Sequence, residues 1–202
     1  MSKFTIIEDC SPYYIRFTHQ GLDAIVDYCK QSMPSLDDIV KFKHYAMPVD
    51  QAKKVLSMTP MSQLMPLQDE RVSLFVTTPG LYYRAHKDGV VDRFSINYPI
   101  IIADDKCVTS WYSDDDLKEY PMDKTQLEKK SSRECVGFDP KKHKPLKSMT
   151  ARPGECILFN TEIFHDWDNT ASTNYRIVLT LRIKHPLTEK TYFEDAKKLI
   201  FG

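Results

Sequence analysis

The sequence carries no surplus of charge, no cysteine pair at metal-ligand spacing and no apolar run of membrane-spanning length. Its 28 basic and 28 acidic side chains cancel to a formal net charge of zero, so no electrostatic footprint for nucleic acid is expected. The five cysteines, Cys10, Cys29, Cys107, Cys135 and Cys156, are odd in number and scattered without a C-x-x-C spacing. That argues against a disulfide framework and a zinc knuckle, and the expectation is reduced thiols half-buried in the core. The stretch MSKFTIIEDCSPYYIRF lacks an apolar signal core, and nothing approaches the roughly 18 apolar residues of a membrane span. A cytoplasmic protein with neither nucleic-acid nor membrane partners is expected. No internal repeat and no low-complexity segment is found.

What is present has two textures. The 202 residues suit one domain covering 1–202, long enough to bury a single core. A short strand, FTIIE, is followed by helical patterning from about Gly21 to Leu64, with Leu22, Ile25, Val26 and Cys29 at i, i+3, i+4 and i+7. Pro34 and Pro48 divide it, giving a helical flank over about residues 1–70. From Arg71 the chain turns to β segments rich in Val, Ile, Tyr, Phe and Thr: RVSLFVTT, GLYYRAH, RFSINYPIII, CVTSWY, ECILFN and YRIVLTLRI. Between them lie the turns Pro79-Gly80, Asp88-Gly89, Ala103 to Lys106 and Pro153-Gly154. Short strands with tight turns over about residues 71–186 predict a sandwich or jelly roll, mainly β with a helical flank. The polar stretch over about residues 113–151 reads as an insertion between strands, and its charged middle is placed to act as a lid. Trp111 and Trp167 read as packing, and the acidic run Ser113 to Asp116 as a solvated loop.

Within YYRAHKDGVVDRF, His86 and Asp88 are two residues apart, so an extended chain points both to one face. Alone, the pair also reads as a hydrogen-bonded couple closing a turn at Asp88-Gly89. A third ligand is needed to decide. Of the remaining histidines, His143 sits in a lysine-rich loop, His185 precedes Pro186, and His19 and His44 belong to or border the helical flank. His165 follows the turn and apolar strand of PGECILFNTEIF and precedes the turn DWDNTASTN, which places it between two neighbouring strands at one end of a sheet. On the last strand Ile177, Leu179, Leu181 and Ile183 share one face, leaving Arg176, Val178, Thr180 and Arg182 on the other. If the turn centres near Ala171, a hairpin sets Arg176 beside His165. A guanidinium there would clamp a carboxylate in bidentate fashion, with Arg182 as the alternative clamp. Two imidazoles and one carboxylate on one face of an iron leave three positions open, the facial triad of non-haem Fe(II) oxygenases.

These residues resemble the Fe(II)/2-oxoglutarate-dependent dioxygenases, whose motif is H-x-D, a distal His and an Arg beyond it, here His86, Asp88, His165 and Arg176. PGLYYRAHKDGVVDRFSINYPI and PGECILFNTEIFHDWDNTASTNYRIVLTLRIKHP look most like the aspartyl/asparaginyl β-hydroxylase branch. The resemblance implies a double-stranded β-helix, a cupin-like jelly roll. It implies iron held by His86, Asp88 and His165, and a 2-oxoglutarate tail carboxylate held by Arg176. Asn97 and Tyr83 fall where members line the cosubstrate pocket. The implied activity consumes 2-oxoglutarate and O2, releases succinate and CO2, and hydroxylates a peptidyl Asp, Asn or Pro side chain or a small molecule. The rival reading is a cupin-like metal or small-molecule binding module that oxidises nothing.

Overall fold

From Ser73 to Leu181 the chain crosses back and forth between two antiparallel sheets. The structure, a computed structural model, describes residues 3–41, 44–65, 67, 69–88, 93–102, 104–121, 133–182 and 192–202. In chain order the elements are β1 (Phe4–Cys10), β2 (Tyr14–His19), α1 (Leu22–Ser32), α2 (Leu36–Ile39), β3 (His44–Ala46), α3 (Val49–Met58), β4 (Ser73–Thr77), β5 (Tyr82–Lys87) and β6 (Phe94–Ile102). They continue with β7 (Val108–Trp111), β8 (Arg133–Glu134), β9 (Lys147–Thr150), β10 (Cys156–Asn160), β11 (His165–Asp168), β12 (Arg176–Leu181) and α4 (Phe193–Phe201). Short 3-10 turns stand at Pro60–Gln63, Asp69–Arg71 and Pro140–Lys142.

A seven-stranded sheet has the order β1-β2-β10-β6-β12-β4-β3, and a five-stranded sheet the order β8-β5-β11-β7-β9. From β4 to β12 the chain changes sheet at every step except across β7, β8 and β9, which all belong to the five-stranded sheet. This is the jelly roll expected from the sequence. The alternation also corrects one expectation. β10, β11 and β12 do not form hairpins with one another: β11 pairs with β5 and β7, while β12 pairs with β4 and β6. Arg176 therefore reaches His165's neighbourhood from the opposite sheet rather than from an adjacent strand.

Strand periodicity sorts the two faces of the seven-stranded sheet. Ile96, Tyr98, Ile177, Leu179 and Leu181 point outward and are buried under α1, α3 and α4, joined there by Ile25, Cys29, Val55 and Ile200. Burying such apolar side chains contributes roughly 1.5–3 kcal/mol apiece. Thr180, Asn97, Ile157 and Phe159 alternate with them and face the opposite sheet. Pro34 and Pro48 break the helical flank as predicted, one after α1 and one capping α3. Between the breaks the chain adds β3 to the edge of β4 instead of a long helix. Gly21, with φ at 88°, turns the chain from β2 into α1 in a conformation that disfavours any side chain. All five cysteines are free, four of them buried and Cys10 partly so.

The polar interval does more than connect strands. β8 and β9 form the two edges of the five-stranded sheet, and Leu117, Cys135 and Phe138 cover Ala85, Tyr112 and Phe164 on its outer side. Residues 122–132, expected within the insertion, lie outside the described residues, as do Gly89, Ile183, His185 and Pro186. Among the described residues no helix is long and apolar enough to cross a membrane.

Candidate metal centre

β5 and β11 lie side by side with His86 directly opposite His165, which brings the two imidazole centroids to 4.4 Å. The ladder slips beside them: Trp167 pairs with Tyr83, so two steps along β11 match three along β5. This bulge lets Tyr83 and His86, three residues apart, look toward the same interior, where a regular strand would set them on opposite faces.

Each imidazole is oriented the same way. Nδ1 of His86 lies 2.8 Å from the Arg84 carbonyl oxygen, and Nδ1 of His165 lies 2.8 Å from that of Ile163. A carbonyl only accepts, so both Nδ1 atoms carry the proton and donate. In the neutral rings that leaves Nε2 with its lone pair directed inward, the tautomer a metal requires. Burial pushes the His165 imidazole down to about 3, with the nearby His86 adding to the effect, so His165 is neutral at physiological pH.

Asp88 follows the end of β5 and is anchored by its backbone N–H, which donates to the Thr161 carbonyl at 3.2 Å. Its Oδ1 lies 3.5 Å from His86 Nε2, while Oδ2 accepts from Arg182 Nη2 at 2.8 Å. Burial works to raise the carboxyl, but the Arg182 guanidinium and His86 outweigh it and hold Asp88 well below the usual carboxylate range. Ligand atoms of His86, Asp88 and His165 all lie within 4.8 Å of one another, the one such His, Cys, Asp or Glu group found among the described residues. Two imidazole nitrogens and an ionised oxygen suit a borderline divalent metal such as Fe(II) or Zn(II).

Arg176 is 5% exposed, at the start of β12. Its guanidinium carbon lies 5.4 Å over the Trp167 ring, with the Cys107 thiol in hydrogen-bonding reach. No ion pair to Arg176 is present among the described residues, and Nε is buried with no hydrogen-bond partner. Burial works against its charge, offset only in part by Cys107. A buried cation without an anion is unstable unless a ligand supplies one. Arg182, the other clamp the sequence allowed, already gives a hydrogen bond to Asp88. The two arginines are thus divided, one bonded to the Asp88 carboxylate and one lying over Trp167.

Tyr83 meets His86 edge to face at 4.9 Å. Asn97 is buried on the inner face of β6, its carboxamide oxygen accepting from Thr180 Oγ1 at 2.9 Å. Trp111, expected as packing, is fully buried and stacks on Tyr14 at 5.3 Å and against Phe159 at 4.9 Å. Phe159 in turn abuts His165 at 4.8 Å, so this aromatic group closes the interior on that side of the imidazoles. The three discounted histidines among the described residues stay outside the cluster. His143 stacks on Phe138, His19 lies against Tyr98, and His44 tilts onto Phe75.

Sequence reasoning took Trp167 only as packing and passed over the Arg182–Asp88 bond. Trp167 packs, but on the site itself: it touches Tyr83 at 5.4 Å, His86 at 6.1 Å and Phe75 at 5.6 Å. Its signal was its place two residues after His165, visible once HDWD is read as a strand rather than as the start of a turn.

No family model matches the sequence, and no curated protein matches it. Solved structures share the fold. The chain is similar to HygX from Streptomyces hygroscopicus in its apo form, with a TM-score of 0.52 at 10% identity over 84% of this chain and 81% of that one. HygX with iron bound gives 0.52 at 10% identity over 85% and 83%. HygX with nickel and 2-oxoglutarate bound gives 0.51 at 10% identity over 85% and 82%.

Proposed function

We propose that this protein is a non-haem Fe(II) oxygenase that uses 2-oxoglutarate as cosubstrate, with His86, Asp88 and His165 as metal ligands. One observation carries the reading: a two-His, one-carboxylate cluster within 4.8 Å stands in the same interior as Arg176, a buried guanidinium without an ion-pair partner among the described residues. The donor set alone fits many divalent metals. The unpaired cation is what asks for an anionic cosubstrate, and a dicarboxylate with a chelating 2-oxo end satisfies both. HygX, which has this fold, has been solved with iron and with nickel and 2-oxoglutarate.

With iron bound, the centre would supply the redox chemistry that couples O2 to decarboxylation of the 2-oxo acid and hydroxylation of a C–H bond. The chain's own residues do the holding. The Arg84 and Ile163 carbonyls fix the imidazole tautomers, and Arg182 fixes the Asp88 carboxylate and keeps it ionised. Arg176 holds the tail carboxylate. Phe159, Trp111 and Tyr14 exclude water from behind His165. Tyr83, against His86, lines the approach, and Asn97 completes the polar lining of β6. The hydroxylated substrate is a peptidyl Asp, Asn or Pro side chain or a small molecule, a reading that rests on the motif's likeness to the aspartyl/asparaginyl hydroxylases. The protein acts in the cytoplasm.

Anaerobic addition of Fe(II) and 2-oxoglutarate tests this. The expected result is a weak visible charge-transfer band, followed by succinate release when air is admitted. His86→Ala and His165→Ala each abolish iron retention. Iron content equal to wild type in both variants would reject the ligand assignment, and absence of succinate with iron bound would leave a binding module.

A further inference from the structure

Trp167 carries a second unanswered donor. Its indole Nε1 is buried and has no hydrogen-bond partner among the described residues, and the same holds for Nε of Arg176, whose guanidinium lies over the same ring. A buried N–H without an acceptor costs free energy comparable to a lost hydrogen bond, so two such groups in contact call for a shared acceptor. The ring also reaches the proposed metal ligands, since it meets His86 edge-on at 6.1 Å. Any molecule running from His86 to Arg176 therefore passes beside Trp167. The indole N–H is a donor only, so the missing partner is an acceptor, and the Arg176 guanidinium beside it favours an anionic oxygen.

We propose that Trp167 is a cosubstrate-positioning residue whose indole N–H donates to the carboxylate held by Arg176, the two forming one anion cradle. This rests on the cosubstrate reading above. Stacked beneath the guanidinium, the ring also limits the orientations the Arg176 fork can take, so the indole both holds the fork and adds a donor.

The test uses the full chain, labelled with 15N and loaded with Zn(II), which binds without redox chemistry. Its two tryptophans give two indole N–H signals, and Trp167→Phe assigns them. Trp111 Nε1 donates to the Asn160 carbonyl at 3.4 Å and serves as the internal control. On adding 2-oxoglutarate, the Trp167 indole proton moves downfield and that of Trp111 stays. Trp167→Phe raises the 2-oxoglutarate dissociation constant on the order of ten- to a hundredfold, the loss of one hydrogen bond to a charged acceptor, without changing Zn(II) affinity. Trp167→His, which keeps a ring N–H, recovers part of the loss. If wild type binds 2-oxoglutarate and the Trp167 signal does not move, the cradle is overturned while the oxygenase reading stands. If Zn-loaded wild type does not bind 2-oxoglutarate at all, the oxygenase reading itself falls. The wild-type spectrum decides even if Trp167→Phe misfolds.

Discussion

Arg176 opens β12 and Arg182 follows directly on its end, six positions on, yet their surroundings differ sharply. Arg182 is paired: a charge-assisted hydrogen bond of 2.8 Å ties it to Asp88. Partners that orient metal ligands typically carry 10–100-fold of metal affinity, so Arg182→Met should weaken Zn(II) or Fe(II) binding by about that factor in a competition titration. Arg176 is buried with no ion-pair partner among the described residues, so Arg176→Met should leave metal affinity in place and raise the 2-oxoglutarate dissociation constant by about 30–150-fold, the equivalent of roughly 2–3 kcal/mol. The same substitution removes a charge buried without an anion. A buried charge without a counter-ion carries an uncompensated desolvation cost, so Arg176→Met should raise the melting temperature of the ligand-free protein. A variant both more stable and worse at binding cosubstrate marks a residue kept for function. Destabilisation together with unchanged cosubstrate binding would make Arg176 structural.

Among the elements, those with strong period-2 or period-3.6 patterns were legible. β12 is the clearest, because Ile177, Leu179 and Leu181 alternate against Arg176, Val178 and Thr180, and the structure puts the first set in the helix-side core. α1 and the breaks at Pro34 and Pro48 were equally plain. β11 was not: its HDWD is polar at three of four positions, since its inner face carries site residues and its outer face carries Asp166. That carboxylate is buried and accepts hydrogen bonds from the Tyr82 and Tyr112 hydroxyls and the Ser110 backbone N–H. Buried polar groups had overwritten the hydrophobic signal. β8 and β9 were illegible because two- and four-residue edge strands carry too few positions for a period. The side-chain contact that reaches from β2 across β10 to β6 offers a test of its own. His19 donates from Nδ1 to the Gln20 carbonyl at 2.8 Å, and its Nε2 lies 3.1 Å from the Tyr98 hydroxyl, itself 3.0 Å from Thr59 Oγ1. Burial lowers the His19 pKa below its ordinary 6.5. The neutral ring is the folded form, so its contribution is intact above pH 6.5 and is lost as pH falls toward the lowered value, at no more than about 1.4 kcal/mol per pH unit. Between pH 7.5 and pH 5.5, His19→Gln should lose less stability in urea titrations than wild type does. An equal loss would place the acid sensitivity elsewhere.

At the scale of the whole molecule, the candidate site is a bridge between layers. His86, His165 and Trp167 belong to the five-stranded sheet, whereas Arg176 and Asn97 belong to the seven-stranded one and Arg182 follows directly on β12. Asp88 hangs between them, joined to Thr161 by its backbone and to Arg182 by its side chain. A metal with cosubstrate would therefore fasten one sheet to the other, and binding that favours only the folded state adds about 2.7 kcal/mol at a hundredfold excess over the dissociation constant. For a chain of 202 residues that corresponds to a rise in melting temperature of about 5–10 °C for each saturating ligand. Zn(II) alone should give one increment and 2-oxoglutarate added to the Zn(II) form a second, while 2-oxoglutarate without metal gives little because its chelating end has no partner. Arg176→Met should keep the first increment and lose most of the second, and His165→Ala should lose both. Scanning calorimetry on the three proteins reads all of these. A full second increment in Arg176→Met would mean that the dicarboxylate is anchored by some other cation, and that the gap between the sheets is not where it lies.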